Sequence, residues 1–335
     1  MDLKCVEGIT VKSVIVTGAA GFIGSSLCIA LADQGIRVHA VDCLTDYYDP
    51  AWKQRRISDV REYGVDVSTK NASDFVQSLT EDVDVVFHLA AQPGVRASWG
   101  GSFEKYIDRN IRLTHALLEW ACRRDCRFVF ASSSSVYGEQ QQYPVSEEAP
   151  LSPVSPYGVT KLTCEGLARA YARRMNAPVV GLRYFTVFGP GQRPDMAFTR
   201  FFAQLMSGRP LEIFGDGRQI RDFTYVSDAV RATILAGTAS IPGRQFVPLN
   251  VAGGSSRSLK DVFASLQEIV GHEIQTSLSA GVPGDVSRTG GDVSRIRSLL
   301  GWMPATPFEK GLRAQYEWAM TNRAAVMSAV DSFGD

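Results

Sequence analysis

An excess of charge of either sign is missing from this sequence: 35 Lys plus Arg balance 35 Asp plus Glu over 335 residues. Without a net field nothing gathers nucleic acid or an anionic membrane surface, so an anionic ligand has to be met by local groups. Long apolar runs are absent as well. The run at 83–91 is interrupted by His88 and falls far short of the roughly 20 residues that span a bilayer. Residues 14–16 lead straight into a glycine-rich turn and lack a signal peptide's longer apolar core and cleavage site, which predicts a cytoplasmic protein with no membrane partner. Cysteine is sparse and scattered, and Cys5, Cys28, Cys43, Cys122, Cys126 and Cys164 read as free thiols. Cys122 and Cys126 have no second Cys or His pair at ligand spacing and the histidines are dispersed, so no metal is expected. Repeats and low-complexity segments are missing too, apart from the serine run at 132–135.

What is present is a globular composition, 45% hydrophobic and 21% charged, with a clear rhythm. Short β-rich runs at 13–17, 37–42, 83–89, 128–132 and 179–184 alternate with helix-like segments, the pattern of an α/β fold with a doubly wound parallel sheet covered on both faces. Past Tyr184 the rhythm breaks. Gly189, Pro190, Gly191 and Pro194 predict a long loop, 196–207 a helix and 211–214 a strand. Ser258 followed by Asp261 marks a helix start, and a last helix is expected from Phe308 towards Ala325. The division expected is a first domain of 1–183 plus about 222–251, and a smaller α/β substrate domain of 184–221 plus about 252–335.

Residues 17–24 read TGAAGFIG, with Gly18, Gly21 and Gly24 between a strand and a helix, where close backbone approach and free amides suit a pyrophosphate. Asp42 ends the next strand 18 residues beyond Gly24, where a carboxylate can bond both hydroxyls of an unphosphorylated ribose. This is a dinucleotide (Rossmann) signature. The carboxylate, with no Arg in the next several residues, favours NAD over NADP.

Tyr157 and Lys161 stand four apart in a segment that reads as a helix opened by Pro156, so both share a face. A free phenol titrates near about 10 and needs neighbouring positive charge to work as a base at neutral pH. Upstream, the strand at 128–131 delivers Ser133, Ser134 and Ser135 to the end of a parallel strand, where ligands sit.

The spacing TGxxGFIG, the serine run and the Tyr-xxx-Lys pair together resemble the extended short-chain dehydrogenase/reductase family, and the resemblance covers nearly the whole chain. It implies a triad of Ser133, Tyr157 and Lys161, with Phe22 and Ile23 joining the glycines at the cofactor. The blocks HLAAQPGVR at 88–96, RYFTVFGPGQRPDM at 183–196 and RDFTYVSD at 221–228 are similar to nucleotide-sugar epimerases. They imply cofactor contacts at Leu89, Ala90, Ala91, Asn110 and Tyr184, with Asp66 and Val67 near the adenine. For the nucleotide sugar they imply Arg96, Phe214, Arg221 and Asp285. The segment DCLTDYYDPAWKQRR at 42–56, with Thr186 and Arg193, most resembles UDP-glucuronate 4-epimerases, in which that pair meets the sugar carboxylate alongside Ser134 and Ser135. Decarboxylases and dehydratases of the family carry an acid after the triad hydroxyl, where this chain has serines.

The implied reaction is epimerisation at carbon 4 of a UDP-sugar through a 4-keto intermediate, Tyr157 exchanging the proton with the 4-hydroxyl while hydride passes to NAD and back. Two alternatives remain open: a UDP-glucose or UDP-N-acetylglucosamine 4-epimerase, since a small Thr289 leaves room for an N-acetyl group, and a non-catalytic NAD sensor on the same fold. Val282 stands where galactose-type epimerases carry a phosphate-binding Arg. The helices at 102–122 and 156–174 resemble those through which family members pair as homodimers in a four-helix interface.

Overall fold

The computed structural model describes residues 10–279 and 284–331. Six strands run through the first half: β1 (Ser13–Thr17), β2 (Arg37–Val41), β3 (Val67–Ser68), β4 (Val85–His88), β5 (Arg127–Ser133) and β6 (Val179–Tyr184). Three short strands, β7 (Thr186–Phe188), β8 (Leu211–Phe214) and β9 (Ile220–Tyr225), follow before β10 (Phe246–Val251) returns to β6. The main sheet has seven parallel strands in the order β10-β6-β5-β4-β1-β2-β3. The strand order reverses at β1, between β2 and β4, which opens a crevice at the carboxyl ends of the strands.

Burial on both faces explains the continuous apolar runs. Val14 and Val16 join one core with helices Phe22–Ala32 and Val226–Thr238, whereas Ile15 joins a second with helices Leu113–Arg123 and Pro156–Met175. Successive strand side chains alternate faces, so a parallel sheet needs apolar residues at every position rather than at every second one. A third core is aromatic: Phe188, Phe198, Phe223 and Phe308 pack with ring centroids 5.1–6.1 Å apart. It joins β8 and β9 to helices Ala197–Met206 and Phe308–Thr321, and Tyr48 and Trp52 from the first half reach into it. The last strands, β11 (Ser256–Ser258) and β12 (Thr276–Ser279), pair with β9 and β8.

Several expectations needed adjustment. β3 was not anticipated, since two residues carry no periodicity. The last helix stops at Thr321 and a separate one runs Arg323–Asp331. The helix expected at 102–122 is interrupted by a π-turn at Ile107–Arg112, within which Asn110 turns inward to bond Gln92 and Thr160. Ser258 and Asp261 do form a reciprocal capping box. No helix among the described residues is long and apolar enough to cross a membrane.

Among the polar residues buried in the sheet, Arg183 is held by an ion pair. Arg183, next to last in β6, is 1% exposed, and its Nε and Nη2 bond both carboxylate oxygens of Glu165 at 2.9 and 2.7 Å. Glu165 also accepts from Ser132 Oγ at 2.6 Å, and Arg183 Nη1 donates to the Tyr137 hydroxyl, which donates to Asn250 on β10. Every partner is satisfied, the condition under which a buried ion pair is tolerated. Replacing Arg183 with Met strands the Glu165 carboxylate and should lower stability by about 3–5 kcal/mol, whereas the double change with Glu165→Leu should recover a large part. Denaturant unfolding of the single and double variants checks both.

Candidate active site

A cavity of about 380 Å³ opens at the carboxyl ends of β1, β4, β5 and β6. Its first wall is the glycine turn after β1. Gly18 has a φ of +73° and a Cβ there would stand 2.8 Å from Ala90 N, while a Cβ on Gly24 would stand 2.0 Å from Gly18 O. No other residue fits either position, and the turn therefore lies flat against Leu89 and Ala90. The helix that follows, with Phe22 and Ile23 in its first turn, starts without any side-chain cap, which leaves donors for an anion. Leu89, Ala90 and Ala91, just past β4 and beside the turn, also line the cavity.

Asp42 sits at the end of β2 and accepts from Ala20 N, Leu44 N and Lys53 Nζ at 3.2, 2.9 and 3.3 Å. Lys53 was not foreseen. It lies 11 residues on, on helix Pro50–Glu62, and is 6% exposed, so the carboxylate is countered by a cation that no scan of the next few residues finds. Asp66 and Val67 are not in the cavity lining: the Asp66 side chain is 98% exposed beside Arg61, and Val67 is buried in the core. The strand end that reaches the cavity is later in the chain. Ser68 O accepts from Asp42 N, and Asn71 and Ala72 line the cavity.

Ser133 ends β5, accepting from Ser135 N at 3.1 Å and lying 3.1 Å from its hydroxyl. Tyr157 and Lys161 face the same cavity because Ser155 caps the helix through Gly158 N with Pro156 in its first turn. A Cβ on Gly158 would stand 2.6 Å from Ser135 O, so this glycine is what lets the helix start approach the serine turn. Lys161 Nζ donates to Ala131 O at 2.7 Å and stands 5.9 Å from the Tyr157 ring centre. Asn110 lies outside the lining: it is 1% exposed, with its amide spent on Gln92 and Thr160. The hydroxyl of Tyr184, a lining residue, pairs with Thr233 at 2.6 Å.

At the far end stand Thr186 and Arg193, with Ser134 and Ser135. Arg193 is not free. Its Nε and Nη2 bond both oxygens of Asp195 at 2.9 Å, and the Tyr47 hydroxyl donates to Asp195 at 3.4 Å. Burial would depress the guanidinium, but the Asp195 carboxylate outweighs it and holds Arg193 above its ordinary value. Segments 42–56 and 186–195, read separately in the sequence, thus meet in one wall.

Arg96, Phe214, Arg221 and Asp285 form a second group outside the cavity lining. The Arg96 guanidinium lies 4.1 Å from the Phe214 ring centre, and Arg221 Nη2 bonds Asp285 at 2.5 Å. Arg200, missed in the sequence, stacks on the same ring at 5.8 Å and pairs with Glu212. Val282 lies outside the described residues, and Thr289 Oγ1 accepts from Asp222 N at 3.1 Å.

The NAD dependent epimerase/dehydratase family model matches residues 14–252, more than half of the chain. An uncharacterised UDP-glucose epimerase of Bacillus subtilis is 42% identical over 95% of this chain and 98% of its own length. A UDP-glucuronate 4-epimerase of Thermodesulfobacterium geofontis is 34% identical over 94% and 98%. Among solved structures, a UDP-glucuronic acid 4-epimerase from Bacillus cereus in complex with UDP-glucuronic acid and NAD superposes with a TM-score of 0.87 at 38% identity, covering 92% of this chain and 99% of that one.

Behind the glycine turn, His88 lies 2.8 Å from Thr17 Oγ1 and 3.0 Å from Thr114 Oγ1, and Thr17 Oγ1 accepts from Ala90 N. Burial, then the charge of Lys161, pushes His88 down to about 3. The unfolded chain takes up this proton near about 6.5 and the folded one refuses it until about 3. Stability should therefore fall as pH drops through that window, by up to about 1.4 kcal/mol per pH unit. Thermal unfolding against pH should show a shallower acid slope in His88→Asn than in the parent protein.

Proposed function

The chain belongs to the NAD-dependent epimerase/dehydratase family, and from that premise we propose that it interconverts UDP-glucuronate and UDP-galacturonate by inverting carbon 4. The observation that carries the reading is Arg193, braced by Asp195 and Tyr47 at a cavity wall that also holds Thr186, Ser134 and Ser135. NAD is the cofactor, and the residues fit it: a glycine turn with no room for side chains, an uncapped helix start for the pyrophosphate, and Asp42 for the ribose hydroxyls. When bound, NAD supplies a hydride acceptor that is restored in each cycle, so the net reaction is an isomerisation.

Tyr157 takes the proton of the 4-hydroxyl and, once the 4-keto sugar has turned over so that carbon 4 regains its hydrogen on the opposite face, returns the proton to that oxygen. Lys161 supplies positive charge beside that phenol, and Ser133 steadies the sugar oxygen within reach of it. Lys161 cannot drift, because Ala131 O holds its ammonium. A uronic acid oxidised at carbon 4 is a β-keto acid, which loses carbon dioxide unless its carboxylate is held away from the alignment that cleavage needs. Arg193 still has Nη1 beyond the edge spent on Asp195, and with Thr186, Ser134 and Ser135 it holds the carboxylate in the unreactive orientation. The group of Arg96, Arg200, Arg221, Phe214 and Asp285 receives the nucleotide, its three cations outnumbering the carboxylates of Asp285 and Glu212.

Two copies pair through the outer faces of helices Leu113–Arg123 and Pro156–Met175; exposed Val159 and Met175, at 46% and 37%, support this assignment. A reducing cytoplasm suits the exposed thiol of Cys43 beside the cavity.

Purified protein incubated with UDP-glucuronate and no added cofactor should form UDP-galacturonate, followed by proton NMR of the sugar, with no pentose and no net NADH. Arg193→Gln should raise KM for UDP-glucuronate about 10- to 100-fold, the loss of a charge-assisted bond of about 1.5–3 kcal/mol. Better turnover of UDP-glucose than of UDP-glucuronate by the parent protein would overturn the acidic-sugar reading.

A further inference from the structure

Arg56, on helix Pro50–Glu62, is 6% exposed, and no carboxylate among the described residues pairs with it. Its guanidinium donates to two backbone carbonyls instead. One is Ala20 O, at 3.4 Å, in the glycine turn; the other is Gly191 O, in the loop that carries Arg193. Tyr48 adds a hydrogen bond, and the Phe22 ring centre lies 6.0 Å away. Burial and the field of Arg193 work against this charge, and Tyr48 and the field of Asp42 offset that cost only in part.

Counting charge at this end of the cavity gives that cost a purpose. Arg193 is paired with Asp195 and Lys53 with Asp42, whose field also reaches Arg56 behind the cavity wall, so these five side chains together carry one net positive charge. A sugar carboxylate on the open edge of Arg193 is drawn by this local excess, and a neutral sugar is not. The same side chain ties the Arg193 loop to the cofactor turn, because Ala20 N is bonded to Asp42 while Ala20 O is bonded to Arg56. Gly191, with a φ of +77°, offers its carbonyl to Arg56 two residues before Arg193.

We infer that Arg56 is a positioning and specificity-determining residue: it fixes the Arg193 loop to the glycine turn and adds the positive charge behind that loop that favours an anionic sugar over a neutral one. This rests on the acidic-sugar reading above. The test is calorimetric, on the NAD-loaded protein, with UDP-glucuronate and UDP-glucose as paired ligands. Arg56→Gln should weaken UDP-glucuronate about tenfold or more and change UDP-glucose by less than about twofold. Arg56→Lys, which keeps the charge but lacks the fork that spans two carbonyls, should keep the preference for the acidic sugar while lowering kcat. If Arg56→Gln does not fold, Arg56→Lys decides, and loss of its preference overturns the inference. Equal weakening of both ligands in Arg56→Gln, or none in either, overturns it as well. These outcomes stand apart from failure of the underlying reading, which shows as a parent protein that prefers UDP-glucose and removes both.

Discussion

The carboxylate of Glu165 and the guanidinium of Arg183 meet where neither is more than 1% exposed, and the geometry of the cavity hangs on that meeting. Glu165 lies one turn beyond Lys161 and two beyond Tyr157 on helix Pro156–Met175, so it shares their face. Rotating the helix by a single residue would swing that face by about 100° and leave both charges unpaired in the interior, at several kcal/mol. Ser132, on β5, bonds the same carboxylate one residue before Ser133. Strand, helix and neighbouring strand are thereby set relative to one another by one group, and Ser133, Tyr157 and Lys161 inherit that register.

The other end of the cavity is organised by charge. Lys53 with Asp42, and Arg193 with Asp195, are intramolecular pairs that pre-orient their members without leaving a net field. Arg56 departs from this pairing and joins the two regions through backbone carbonyls. A low-dielectric wall makes each of these placements consequential, since a charge there interacts far more strongly than at the surface. The chain as a whole has no excess charge, so a local excess comes only from how a few residues are distributed.

Much of this was legible in the sequence where a local rule applies. β1 and β6 were read with their observed bounds because parallel strands buried on both faces leave uninterrupted apolar runs. The glycine turn, and the Tyr157 and Lys161 spacing, were legible because backbone sterics and helix geometry act over a few residues. β3 was not, since two residues show no period, and the residues that reach the cavity beside it, Asn71 and Ala72, lie past the expected Asp66 and Val67. Lys53, Asp195 and Arg200 were passed over for a different reason: each is an ordinary charged residue whose partner is fixed only when distant or turn-separated segments fold together.

By itself, the order of residues determined the alternation of strands and helices, the flat turn that only glycine permits, and the helix that presents Tyr157 and Lys161 together. Each follows from sterics and periodicity that act within about one turn or strand. Only the tertiary structure decided that Arg193 is braced by Asp195 and Tyr47, that Asp42 is countered by Lys53, and that Arg56 bonds backbone carbonyls rather than a carboxylate between the glycine turn and the Arg193 loop. Those are facts about distance and burial, and the strength of a charge depends on both in a way that no spacing along the chain records.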